Sequence, residues 1–520
     1  MLIVRFAFPS SAIALITLAA CTPTPVRAPA SASPAATTTR AASSSSGNFP
    51  GLSAIDSATL RSDLYTMASD SMRGREAGTM DELRAAAWVA MRARDAGLEP
   101  AGDDGTYFQF WPMRHTYLDM SASDVLLDGS PLVLQGSPNA VVVTLTDTAV
   151  DLPLIYVGSD TGSALAARDV RGKAVAALLL PPARLPAPDV SLRSFRYTVA
   201  AIRERTEALT RAGASAIVLV SDAVAEPELR GYFGTSLRRG RYTIDVPGSG
   251  SIPAQPPVIW VSRSQLDRVR AAHQLVARLR MTDIVYPSVN IVARVPGTDP
   301  ARRNEYVLFS SHLDHDGVRY AVDGDSIWNG ADDNASTSVA LLAIGRAFVA
   351  HPAPRSALFV WHGAEERGLL GSRWFAQRPT VPRSSITAVL NADMIGRNAP
   401  DTAGLLGVQP PNRNSAALAR MVLAANDSVT HFAIDSSWDR PTHPERWYFR
   451  SDHLPYARAG IPAVEFSTLL HPDYHTPRDE PDLIDYAKLT RMTRWMYAAG
   501  WLVATAPERP ALDSARASAP

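Results

Sequence analysis

From residue 289 onward the chain alternates short apolar runs with longer stretches that repeat apolar residues at helical spacing, and this alternation constrains the fold more than any other feature. The runs at 290–295, 306–310, 357–361, 387–391 and 463–466 have the length of strands, and 336–349, 415–425 and 483–503 have the pattern of helices. In the last of these Leu489, Met492, Met496 and Val503 share one face. Strand and helix in alternation predict an α/β sheet covered by helices. The Met and Trp residues of this part are then core.

In an open α/β sheet, sites form outside the carboxyl ends of the strands. Followed to their ends, three runs lead into Ser311-His312-Leu313-Asp314-His315, into His362-Gly363-Ala364-Glu365-Glu366 and into Ala392-Asp393-Met394. Two further polar clusters lie in loops: Asn329-Gly330-Ala331-Asp332-Asp333-Asn334, just before a helix, and His471-Pro472-Asp473-Tyr474-His475. Singly, each has an ordinary reading. Asp333 or Asn334 is an N-cap, the Glu-Glu pair is surface charge, and His315, His362 and His471 are solvated or structural. Asp323 and Asp325 lack EF-hand spacing and read as a turn rather than a calcium loop. Together the clusters gather histidines and carboxylates at one edge of one sheet, where bare carboxylates repel one another and a divalent cation relieves the conflict. The single cysteine, Cys21, is remote, so the ligands are His, Asp and Glu, a set that zinc accepts.

Ahead of this part, 60–97 reads as helical, and 117–284 as short strands separated by Gly, Pro and Asp, with one helix at 197–212. Residues 22–48 are almost all Ala, Ser, Thr and Pro and read as a disordered tether. The N-terminus has Arg5 and then an apolar stretch of signal-peptide length. It ends in Leu18-Ala19-Ala20-Cys21, which resembles a bacterial lipobox. The expectation is therefore an exported envelope lipoprotein, held to a membrane only through a lipid on Cys21. Residues 507–520 read as a loose tail. With 46% hydrophobic residues the chain of 520 can bury a sizeable core, and its zero formal net charge offers no nucleic-acid footprint.

These motifs, in this order, resemble metallopeptidase family 28, the co-catalytic di-zinc exopeptidases. The stretch from Ala68-Ser69-Asp70 to Gly97-Leu98-Glu99-Pro100-Ala101-Gly102 looks like the family's opening segment. The strand-rich part, with Asp169-Val170-Arg171-Gly172-Lys173, looks like its inserted protease-associated domain. The resemblance implies a mixed, mostly parallel sheet flanked by helices (49–116 and 285–506) with a β-rich insertion at 117–284. It implies two zinc ions, one on His312 and Asp393, the other on Glu366 and His475, with Asp332 as the bridge. By the same resemblance Glu365 is the general base, Asp314 orients the His312 imidazole, Tyr474 hydrogen-bonds the oxyanion, and Ser451-Asp452-His453-Leu454-Pro455 lines the site. The family's cis peptide bond would fall between Asp332 and Asp333. Thr337, Ala392 and Arg367 depart from frequent family residues without being ligands.

The implied activity is hydrolysis of N-terminal residues from peptides by a metal-activated water. Alternatives are a carboxypeptidase or dipeptidase with the same metals, a glutaminyl cyclase with a single zinc, and a non-catalytic binding protein. Arg397, Arg446 and Arg450 lie near the motifs in sequence, as a carboxypeptidase would require.

Overall fold

A computed structural model describes residues 49–134, 139–188, 190–231, 233, 240–250 and 254–514; the expected signal, lipidated Cys21 and tether lie outside these residues. The architecture is mixed α/β. Its larger sheet runs in the order Ala433–Asp435, Thr402–Leu406, Ala463–Ser467, Ile386–Ala392, Tyr306–His312, Ser356–His362, Met281–Val295, Phe108–Leu118 and Arg241–Ile244. The four strands from Ala463–Ser467 to Ser356–His362 are parallel. Met281–Val295 continues the sheet antiparallel to Ser356–His362.

Every residue of Tyr306–His312, Ser356–His362 and Ile386–Ala392 is buried, as parallel strands covered on both faces require. Alternate side chains go to opposite sides. Val307, Phe309, Phe359 and Leu390 pack with the helices Thr337–Ala350 and Tyr486–Thr505. Leu308, Leu358, Val360 and Val389 pack on the other face with Phe375 of Leu370–Gln377 and Tyr456 of His453–Arg458.

A second sheet takes in Ser130–Pro131, Asp124–Leu127, Gln274–Leu279, Thr148–Gly158, Ala174–Leu178, Ala216–Val220, Val258–Val261 and Ala140–Val142, in that order. Four of its strands are parallel, and the helix Arg193–Ala212 joins two of them, so this part has more α/β character than a purely strand-rich reading. Arg241–Ile244 does not join it. That strand pairs with Phe108–Leu118 at the edge of the larger sheet, although its sequence position falls inside 117–284.

Two other expectations change. The helical stretch 60–97 is two helices, Ser57–Met67 and Met80–Asp95, separated by a turn that carries the fully buried Arg75. The expected loose tail is packed as far as it is described. Asp513 accepts a hydrogen bond from Ala416 N at 2.8 Å, at the start of the helix Ala416–Val429, and pairs with Arg413; Arg509 pairs with Glu305. These polar anchors hold a segment whose composition alone suggested none.

Candidate metal centre

The carboxyl ends of the parallel strands deliver the polar side chains. His312 is the last residue of its strand, Asp393 directly follows Ile386–Ala392, and Glu365 and Glu366 lie on the turn after Ser356–His362. Beside them Ala364, Met394 and His475 have positive φ of 55°, 53° and 50°, a costly conformation for residues with a side chain. Arg75 works from below. Its guanidinium donates to the carbonyls of Leu313, Asn329 and Gly330 at 2.6–2.9 Å, tying the His312 loop to the 329–334 loop. Burial lowers the Arg75 pKa to about 10, with the carboxylates of Asp333 and Asp314 opposing the shift.

Two groups of possible ligand atoms result among the described residues, and Asp333 belongs to both: His315, Asp333, Glu366 and His475 form one, and His312, Asp333 and Asp393 the other. His312 Nε2 lies 3.3 Å from Asp333 Oδ1 and 3.5 Å from Asp393 Oδ1. His475 Nε2 lies 3.2 Å from Asp333 Oδ2 and from Glu366 Oε1. Glu365 Oε2 stands 3.9 Å from His312 Nε2. The structure thus brings His312, Glu365, Glu366, Asp393 and His475 together, but not Asp332.

The Asp332 carboxylate turns away from both groups. It accepts a hydrogen bond from Gly396 N at 2.6 Å and faces His471 at 3.6 Å. Asp479 accepts from the backbone N–H groups of both Asp332 and Asp333, which fixes the path that aims Asp333 inward. The cis peptide bond is correspondingly Asp333-Asn334, one residue after the expected place. Asp314 also differs from expectation. Its carboxylate is 3.9 Å from His312 Nδ1, which instead meets the Asp314 carbonyl at 3.1 Å. The carboxylate accepts from the backbone N–H of Glu365 at 2.9 Å and of Glu366 at 3.3 Å, so it braces the turn that presents both glutamates.

The electrostatics call for positive charge. Burial raises Glu365 well above the usual carboxyl range; the His312 imidazole opposes this, while Glu366 and Asp393 add to it. Burial alone would lower His312, but Glu365 and Asp393 raise it well above the usual imidazole value. For Asp333, burial and Glu366 push upward, yet His315, His312 and His475 hold it below the usual range. His312 Nε2 and Asp393 Oδ1 are buried without a hydrogen-bond partner. Imidazole nitrogens and carboxylate oxygens crowded in this way, with no thiolate, fit a divalent cation of the zinc type.

Residues 290–500 match the model of peptidase family M28. This segment is an M28 peptidase domain. All of the ligand atoms named above belong to it. Among curated proteins, a probable leucine aminopeptidase of Arthroderma otae is 31% identical over 170 residues, which is 31% of this chain and 44% of that protein. Leupeptin-inactivating enzyme 1 of Streptomyces exfoliatus is 36% identical over 118 residues, which is 21% of this chain and 23% of that enzyme. The chain therefore spans less than half the length of either relative. An aminopeptidase from Aneurinibacillus sp. strain AM-1 has the same fold, with a TM-score of 0.55 at 17% identity over 89% of this chain and 97% of that one. A zinc aminopeptidase from Bacillus subtilis aligns with a TM-score of 0.55 at 16% identity, over 89% and 98%.

Around these candidate ligands lies a cavity of about 260 Å³, lined by Leu369, Trp447, Phe449, Arg450 and Tyr474 beside the carboxylates. His362 is structural: it is buried, its Nε2 meets the Tyr456 hydroxyl at 3.0 Å, and burial lowers its pKa to about 3. His315 has a larger part than its ordinary reading allowed, with Nδ1 2.9 Å from Glu366 Oε1. The spacing His312-Leu313-Asp314-His315 was the available signal for it. Asp452 is fully buried, and burial lifts its pKa to about 7 against the opposing charge of His312.

Proposed function

We propose that this protein is a zinc-dependent exopeptidase that removes single residues from the free amino end of peptides. The observation that carries the reading is Asp333, one carboxylate shared by two ligand groups with Glu365 beside them. His312 and Asp393 would hold one zinc ion, Glu366 and His475 the other, with His315 against Glu366 and Asp333 between the two. When bound, the ions supply Lewis-acid chemistry, polarising a carbonyl and making water a nucleophile near neutral pH. Glu365, whose buried carboxyl holds a proton readily, takes the proton of the attacking water and passes it to the leaving amine. Tyr474 Oη is the hydrogen-bond donor for the oxyanion.

Cleavage from the amino end is favoured over the carboxypeptidase reading because two of the three arginines near the motifs are already paired with carboxylates. Arg397 pairs with Asp473 at 2.6 Å and Arg450 with Glu445 at 3.1 Å. Carboxylates dominate the cavity and suit an α-ammonium group. The segment 117–284 is read as a protease-associated module that covers part of the site. The lipid anchor at Cys21 completes the proposal, and Cys21→Ser should release the enzyme from envelope membranes. The decisive assay compares leucyl peptides with their N-acetylated forms. Release of leucine from the free peptides alone is expected; equal trimming of the acetylated peptides from their carboxyl ends would overturn the aminopeptidase reading.

A further inference from the structure

The segment that leads into the helix Arg193–Ala212 meets the surroundings of the catalytic cavity at the carboxylate of Glu445. Glu445 is nearly buried and has four hydrogen-bond donors around it. Ser191 gives its backbone N–H at 2.5 Å and its hydroxyl at 2.9 Å, and Arg196 gives Nη2 at 2.5 Å. Both belong to the segment at the start of the helix Arg193–Ala212, far from Glu445 in sequence. The fourth donor is Arg450 Nη1 at 3.1 Å. Arg450 Nη2 in turn donates to Tyr474 Oη at 2.8 Å, and its guanidinium stacks on Trp447 at 4.5 Å. Leu192, in a left-handed conformation with φ 49°, packs against the apolar cluster that contains Tyr474, Trp447 and Met394.

A guanidinium has only donors. A hydroxyl that accepts from Arg450 must therefore point its own proton elsewhere, and the cavity is the open direction. A cation on the lone pair also strengthens the hydroxyl as a donor. We propose that Ser191, Arg196, Glu445 and Arg450 form a positioning chain through which the inserted module sets the direction of the Tyr474 hydroxyl. Arg450 and Glu445 are positioning residues, and the module's seating is part of the catalytic geometry. The inference rests on the aminopeptidase reading with Tyr474 as oxyanion donor.

The test is a double-mutant cycle on the full chain loaded with zinc, using leucine p-nitroanilide. Tyr474→Phe should lower kcat by about 10²–10³-fold, the usual cost of one oxyanion donor. Glu445→Gln and Arg196→Met should each lower kcat by about 10-fold with KM unchanged, because the hydroxyl is misdirected rather than lost. In the Tyr474→Phe background both should have no further effect. By calorimetry both variants should bind the tetrahedral aminophosphonate analogue of leucine about 10-fold more weakly, and leucine itself equally well. Arg196→Met, which changes a partly exposed side chain, keeps the test open should Glu445→Gln fail to fold. Equal losses with and without Tyr474, or unchanged phosphonate affinity, would overturn the chain while leaving the peptidase reading intact. A wild-type enzyme inactive on all free-amine substrates would overturn both.

Discussion

Among the described residues there are two sheets with parallel strands covered on both faces, and one of them carries a candidate metal centre. At the carboxyl edge of the second sheet most of the polar groups pair within the chain, although Arg205 Nε is buried without a hydrogen-bond partner. Arg205 donates to the carbonyls of Gly158 and Asp160 at 2.9 and 2.8 Å, Asp222 accepts from the Tyr197 hydroxyl at 2.5 Å, and Ser262 donates to Glu226 at 2.6 Å. At the same edge of the larger sheet His312 Nε2 and Asp393 Oδ1 are buried without hydrogen-bond partners, and the carboxylates of Asp333, Glu365 and Asp393 crowd around the His312 imidazole. Strand order does not make the difference. What differs is that imidazoles and carboxylates crowd together at the larger sheet's edge, whereas at the second sheet's edge the carboxylates are used by donors of the chain itself.

The contrast can be broken by substitution at either edge. Glu365→Gln keeps the shape of the side chain and every ligand of the larger sheet, and should lower kcat by about 10²–10⁴-fold with metal content unchanged. Near wild-type turnover in steady-state kinetics would remove Glu365 from the reaction. Asp314→Ala releases the braced Glu365–Glu366 turn and should cost about 10–100-fold in zinc affinity or activity, as groups that orient ligands usually do. Competition with a chromogenic chelator reads the affinity directly. Glu226→Ala at the edge of the second sheet should lower the unfolding free energy by about 1 kcal/mol in urea titration and leave kcat/KM unchanged. A large loss of activity there would mean that the second edge is not merely structural.

Much of the larger sheet was legible because its central strands are short apolar runs buried on both faces, a pattern that little else produces. Arg241–Ile244 was not, because it is a mostly half-buried edge strand whose partner lies more than a hundred residues earlier. In the site, the clusters that hold His312, Glu365, Glu366, Asp393 and His475 could be found from their places after strands and in one loop, and the resemblance to family 28 singled these residues out. The choice between Asp332 and Asp333 could not be made in this way. Adjacent acids look alike in a sequence, and it is the backbone held by Asp479 that turns one inward and the other toward Gly396. Arg75 was invisible for a related reason, since it acts on carbonyls of segments remote in the chain.

The central claim is that Asp333, and not its neighbour, is the carboxylate shared by two ions. Metal content by elemental analysis of purified wild-type, Asp332→Asn and Asp333→Asn proteins tests it most directly. Two zinc ions per chain are expected in the wild type and in Asp332→Asn, and fewer than two in Asp333→Asn. Two ions retained in Asp333→Asn, or an ion lost only in Asp332→Asn, would contradict the account.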